Sequence, residues 1–115
     1  MPIRKGSIYW VDFTSAGNSE ANGLSPCLVI QNDVLNSSKL NTVSILGITA
    51  NLKFGELPGN VLLDEGEANL PKPCVINVTR IKTVDKIRLK EKIGSLTKER
   101  MARVEDGLKL VLNLS

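Results

Sequence analysis

The sequence predicts a mainly β fold: a small, partly open barrel with one helix packed against it. Three observations carry that expectation. Several short β-branched or alternating runs are separated by connections rich in Gly, Asn and Pro. Strands and helices do not alternate, so a parallel sheet of strand–helix–strand units is not expected. A single amphipathic segment, at the C-terminal end, carries apolar residues at helical spacing.

The elements follow in order. The run "SIYWVDF" (7–13) alternates and is rich in β-branched and aromatic residues, which predicts a strand. "TSAGNSEANGLS" (14–25) is small and polar, with Gly17, Asn18, Asn22 and Gly23, and reads as a long loop. A second strand, "PCLVIQN" (26–32), starts at Pro26, a position where a strand tolerates proline. "DVLNSSKLN" (33–41) is a polar connection with room for a helical turn. "TVSILGIT" (42–49) is apolar on both faces and predicts a central strand. After the loop 50–59 comes a short strand, "NVLL" (60–63), and then an acidic turn region, 64–73, that ends in two prolines. "CVINVTRIKTVDK" (74–86) is the longest β-like run, with a bend near Arg80. "IRLKEKIGSL" (87–96) fits either a hairpin strand or a short helix. In the last segment Thr97 can cap a helix with Glu99 in its first turn. Met101, Val104, Leu108, Val111 and Leu112 then form an apolar stripe, and Lys98, Arg103 and Lys109 lie mostly off it.

Composition narrows the function classes. Hydrophobic residues make up 42% and charged residues 23%, ordinary globular usage, and 115 residues suit one domain spanning 1–115. No apolar run approaches the length of a membrane-spanning helix, and the N-terminus turns strand-like too early for a signal peptide. A soluble cytoplasmic protein without membrane contact is the expectation. Cys27 and Cys74 fall inside strand-like runs and read as buried thiols. Charge is unevenly spread. Residues 1–71 hold four Lys/Arg against seven Asp/Glu, and residues 72–115 hold eleven against five. A basic back half suggests an anionic partner.

There is no histidine, so Ser-His-Asp, Cys-His and paired-histidine chemistry are all excluded, and zinc has almost no ligand supply. Neither a phosphate-binding loop nor a dinucleotide fingerprint is present. Catalysis would fall to Arg, Lys, Thr, Ser, Asp or Glu. Those residues can cleave RNA, because the nucleophile, the ribose 2′-hydroxyl, comes with the substrate. The protein need only hold the phosphate in line and stabilise charge on its oxygens.

The order of these pieces resembles the MazF/PemK family of toxin endoribonucleases. "KGSIYWVDF" is similar to the family's opening Arg/Lys-Gly-Asp-Ile-Tyr-x-x-Asp-Leu/Phe. "NSEANGLSPCLVIQND" is similar to Gly-Ser-Glu-x-Gly-Gly-x-Arg-Pro-x-x-Val-Ile-Gln-Asn-Asp. "ILGIT" (45–49) matches the strand that ends in the family's threonine. "CVINVTRIKTVDKIRLKEKIGSLT" resembles Val-Ile-Leu-Leu-Glu-Gln-Ile-Arg-Thr-x-Asp-Lys-x-Arg-Leu, and "MARVEDGLKLVLNL" the closing helix. The resemblance implies an SH3-like β-barrel with a C-terminal α-helix, assembled as a homodimer. It implies metal-independent cleavage of single-stranded RNA, mainly mRNA, at short motifs, with no cofactor. It also implies inhibition by a cognate antitoxin whose disordered tail occupies the RNA groove. By position, Thr49 falls on the family threonine at the scissile phosphate. Asn18, Ser19 and Glu20 fall on the loop that covers the RNA, and Thr79 and Arg80 fall where base-reading polar residues stand.

Each of these residues also has a plain structural reading, as a strand end, a solvated loop charge or a surface cation. Tyr9 and Trp10 are candidates for base stacking, although alternation sends one of them into the core.

Ser25 is the departure. The family usually places arginine there, a bidentate phosphate ligand, and serine offers one neutral hydrogen bond. Three accounts of Ser25 stand open: an exchange that lets a toxic chain be produced, a natural variant whose charge comes from Arg80 or Lys82, or a relative that binds without cutting. Two non-enzymatic readings accompany them, a barrel that binds RNA or an antitoxin peptide, and a structural oligomerisation domain.

Overall fold

The computed structural model describes residues 2–14 and 23–115. Six strands form one antiparallel sheet: β1 (Ser7–Asp12), β2 (Leu24–Val29), β3 (Thr42–Thr49), β4 (Val61–Leu63), β5 (Cys74–Asp85) and β6 (Leu89–Ser95). Their spatial order is β4-β5-β3-β2-β1-β6, so β3 is central, as its two apolar faces predict. One helical turn, α1 (Asp33–Asn36), follows β2, and the long helix α2 (Lys98–Leu112) closes the chain. The sheet curls into a half-barrel, in agreement with the SH3-like β-barrel and C-terminal helix that the sequence predicts.

Alternation along the strands splits the core in two. Ile8, Leu28, Leu46, Ile48, Ile76 and Val78 face Val104 of α2, with Met101 and Leu108 packed against them. The intervening residues, Tyr9, Val11, Cys27, Val29, Val43 and Ile45, form a second cluster on the other face. Tyr9 is therefore the buried aromatic of the pair, and Trp10 points the other way and is partly exposed. Both cysteines are buried and free.

β2 and β6 differ most from the sequence reading; β1, β4 and β5 differ by one residue at one end. Within segment 87–96, Leu89–Ser95 form a strand, β6, rather than a helix, and it pairs with β1 after a 3₁₀ turn at Lys86–Arg88. β2 begins at Leu24, because Leu24 and Ser25 pair with Asp12 and Val11 of β1. The ladder from β2 to β3 starts only at Cys27, so Pro26 costs no hydrogen bond on that side. β2 then stops at Val29 because the side chains after it have other partners. Buried Gln31 donates to Asn36 Oδ1 (2.9 Å) and accepts from Ser44 N–H (3.3 Å). Asn32 caps α1 by accepting from Val34 N–H (2.8 Å), and Asp33 accepts from Lys5 N–H (2.7 Å).

The gap between the edge strands β4 and β6 is bridged by the turn Glu67–Asn69. Asn69 Nδ2 donates to Ile93 O (3.0 Å), and the turn lies so close to Gly94 that a Cβ there would stand 2.2 Å from Ala68 O. Arg100, in the first turn of α2, clamps this segment with a fork on Glu67, Nε to Oε2 at 3.0 Å and Nη2 to Oε1 at 2.7 Å. Thr97 caps α2 as predicted, accepting from Arg100 N–H (3.2 Å). Only the first part of the helix stripe is covered, and Val111 and Leu112 are exposed.

Candidate functional site

The site begins with an irregularity in β5. Leu46 of β3 pairs with Ile81, but the next residue, Gly47, pairs with Asn77, which leaves Val78, Thr79 and Arg80 without a β3 partner. This bulge is the bend the sequence predicts near Arg80. A bulge re-aims side chains and leaves backbone groups to be satisfied elsewhere. Val78 N–H donates to Asn60 Oδ1 (2.9 Å), and Asn60 Nδ2 donates to Phe54 O (2.9 Å). One asparagine thus ties the bulge to the 3₁₀ turn Leu52–Glu56, which carries Phe54. Arg80 lies across Gly47, where a Cβ would sit 3.4 Å from Arg80 Cβ. The bare glycine leaves room for the arginine stem.

Around this bulge a cleft of about 170 Å³ opens on the sheet face away from α2. Ser25, Thr49 and Arg80, three of the residues singled out in the sequence, line it together. They come from β2, β3 and β5. Ser25 is a correction to the loop placement: it sits within β2 opposite Val11, half-buried, because strand pairing continues two residues before Pro26. Thr49 ends β3, and its hydroxyl oxygen accepts from Asn51 N–H (3.1 Å), so its structural reading holds and its own O–H remains available to donate. Thr79 is exposed and lies outside the lining; its hydroxyl donates to Asn77 Oδ1 (2.9 Å). Asn18, Ser19 and Glu20 lie outside the described residues.

The cleft also holds side chains that the sequence reading did not select. Asn77, buried and engaged by Thr79, forms part of the wall. The signal for it was a lone amide inside the apolar run "CVINV". Phe13 and Phe54 supply the aromatic surface, whereas Tyr9 and Trp10 are not part of the lining. Lys82 projects from β5 with its ammonium 4.7 Å from the centre of the Phe13 ring. Next to Phe13, the Asp12 carboxyl is held below its ordinary range, first by hydrogen bonds from the Thr14 hydroxyl and amide and then by the charges of Lys90 and Arg88. Among the described residues no cluster of three His, Cys, Asp or Glu side chains offers a metal site. No helix among the described residues is long and apolar enough to cross a membrane.

The chain is 39% identical to endoribonuclease MazF2 of Mycobacterium bovis and to endoribonuclease MazF6 of Mycobacterium tuberculosis, over 99% of its length and 100% of theirs. In fold it is similar to the toxin MazF-mt6 of M. tuberculosis, with a TM-score of 0.79 at 18% identity, covering 95% of this chain and 98% of that one. An endoribonuclease bound to its cognate antitoxin, from a mycobacterial species, has a TM-score of 0.77 at 20% identity, covering 99% and 96%. The model of the PemK-like, MazF-like toxins of type II toxin–antitoxin systems matches residues 4–112. With that match across nearly its whole length, the chain belongs to the PemK-like, MazF-like toxin family.

Proposed function

We propose that the chain is an endoribonuclease toxin that cleaves single-stranded RNA, chiefly mRNA, at a short sequence motif, without a metal ion, and that a cognate antitoxin restrains it. The observation that carries this reading is the convergence of Ser25, Thr49 and Arg80 on one cleft from three different strands. The full-length relatives named as endoribonucleases support the reaction, and the antitoxin-bound structure of similar fold supports the partner.

In this reading the substrate's 2′-hydroxyl attacks the adjacent phosphorus. Charge then grows on the phosphoryl oxygens, where the Arg80 guanidinium and the Thr49 hydroxyl donate to it. Thr79, exposed beside Arg80 on the bulge and just outside the cleft lining, reads a neighbouring base edge, and the segment bearing Asn18, Ser19 and Glu20 covers the RNA. The cleft is smaller than the roughly 300 Å³ typical of pockets that enclose a small ligand, which suits a phosphate and its immediate neighbours. Its described lining supplies hydroxyl, amide and cationic groups, which suit hydrogen bonding to phosphoryl oxygens. Ser25, where the family usually carries arginine, lowers the rate of this chain.

Incubation with a long single-stranded RNA in EDTA tests the reading. Fragments with defined ends are expected. Binding without fragments would instead favour a non-catalytic barrel that holds RNA or an antitoxin peptide, and neither would leave an oligomerisation domain.

A further inference from the structure

We infer that Lys82, held on the face of Phe13, is a phosphate-binding cation of the cleft and compensates in part for the neutral residue at position 25. The inference rests on the endoribonuclease reading and adds a residue to it.

Register places the side chain. Lys82 pairs with Ile45 of β3, and Ile45 belongs to the second core cluster, so Lys82 stands on the sheet face that bears the cleft. It is exposed and lines the cleft with Ser25 and Arg80. A long lysine in solvent is ordinarily disordered, but here the ammonium rests 4.7 Å from the centroid of Phe13. That contact restricts the stem while leaving the N–H donors open to solvent on the other side. Phe13 is itself anchored, because its N–H donates to Gly23 O at 2.6 Å.

Charge bookkeeping points the same way. The ion pairs among the described residues are Lys5–Glu105, Arg100–Asp64 and Arg100–Glu67, so neither Lys82 nor Arg80 has a carboxylate partner there. The nearest acidic group in sequence to Phe13 is Asp12, already engaged by Thr14 and placed among Lys90 and Arg88. A cation oriented by an aromatic ring, facing a polar cleft and lacking a carboxylate among the described residues, fits an anion supplied from outside. Because the Phe13 face is occupied by the ammonium, that ring serves the cation rather than stacking a base. A phosphate of the RNA backbone is the ligand this geometry recognises, with no sequence information attached.

The test measures affinity for a non-cleavable 2′-O-methyl RNA of mixed sequence across a salt series. It compares the parent chain, Lys82→Ala, Lys82→Arg and Lys98→Ala, the last altering a cation on α2 away from the cleft. Lys82→Ala should weaken binding about fivefold at low salt, the upper end for an exposed ion pair. It should also reduce the slope of log affinity against log salt by about 0.7, the value for one phosphate contact on a single strand. Lys82→Arg should restore both, and Lys98→Ala should change neither. An unchanged slope in Lys82→Ala, or an equal loss in Lys98→Ala, overturns the inference while the parent's RNA binding keeps the endoribonuclease reading. A parent chain that does not bind the RNA even at low salt overturns both.

Discussion

Position 25 sets how much charge the cleft can place on a reacting phosphate. The side chain lies within β2, half-buried, beside Arg80 and Lys82 in the lining. Serine contributes one neutral hydroxyl, whereas arginine would add a planar, doubly donating cation. Ser25→Arg is therefore expected to raise RNA cleavage by roughly 10³-fold, by analogy with arginine fingers in phosphoryl transfer. The cleft can accept the longer side chain because it is open, although a third cation there costs some stability in the absence of RNA. Thr49→Ala in the Ser25→Arg background should lower the rate again, since both groups act on the same phosphate. Initial rates on one RNA substrate check this, and a folded Ser25→Arg chain that binds RNA yet cleaves no faster would remove position 25 from the catalytic site.

The elements explain why the site was only partly legible in the sequence. Period-two alternation made the strands visible, and the helix stripe with its Thr97 cap made α2 visible, because both signals are local. The resemblance brought out Ser25, Thr49 and Arg80. What it could not show was the work of side chains whose partners are remote in sequence. The Gln-Asn-Asp stretch, Gln31 to Asp33, looks functional as a motif, yet it joins β2 to α1, β3 and the N-terminal segment. Asn60, expected as the first residue of the strand 60–63, lies just before β4 and belongs to no motif, yet it holds the β5 bulge to the Phe54 turn. Asn60→Ala leaves Val78 N–H and Phe54 O without that partner and should destabilise the chain by about 1–3 kcal/mol. It should also slow cleavage, because Arg80 rides on the bulge; thermal unfolding and rate measurements together separate the two effects. The Glu67–Arg100 clamp gives a pH signature. Arg100 holds the Glu67 carboxyl below its ordinary value of 4.5. Its contribution is therefore complete above that value and is lost as pH falls through the lower folded-state value. Thermal stability should drop below about pH 4.5, and Glu67→Gln should be less stable by about 1 kcal/mol at neutral pH, with a flatter acid limb.

At the scale of the whole molecule, the chain leaves an apolar surface that its own fold does not cover. The end of α2 exposes Leu110 (59%) and Leu112 (53%), with Leu114 (61%) just beyond, although the helix stripe predicts burial of Leu112. Leu110 and Leu62 of β4 line an open depression together with Arg103 and Asp106. A patch that carries apolar residues and both signs of charge is suited to pairing with itself, because a two-fold axis can set one protomer's Arg103 against its partner's Asp106. The chain is accordingly expected to form a symmetric homodimer burying at least about 1,000 Å² in total. The depression is also lined by Gly55 and Asn60, which adjoin the Phe54 turn at the edge of the cleft. A dimer formed through this surface would carry two clefts, so an extended single strand long enough to reach both would gain avidity. Leu110→Glu combined with Leu112→Glu places like charges across the axis and should give a monomer in sedimentation at micromolar concentration. RNA affinity should fall with it, since each strand then meets one basic cleft instead of two. A parent chain that sediments as a monomer would refute the assembly. A dimer that survives the double substitution would move the interface away from α2, and loss of dimer without loss of RNA affinity would confine recognition to a single protomer.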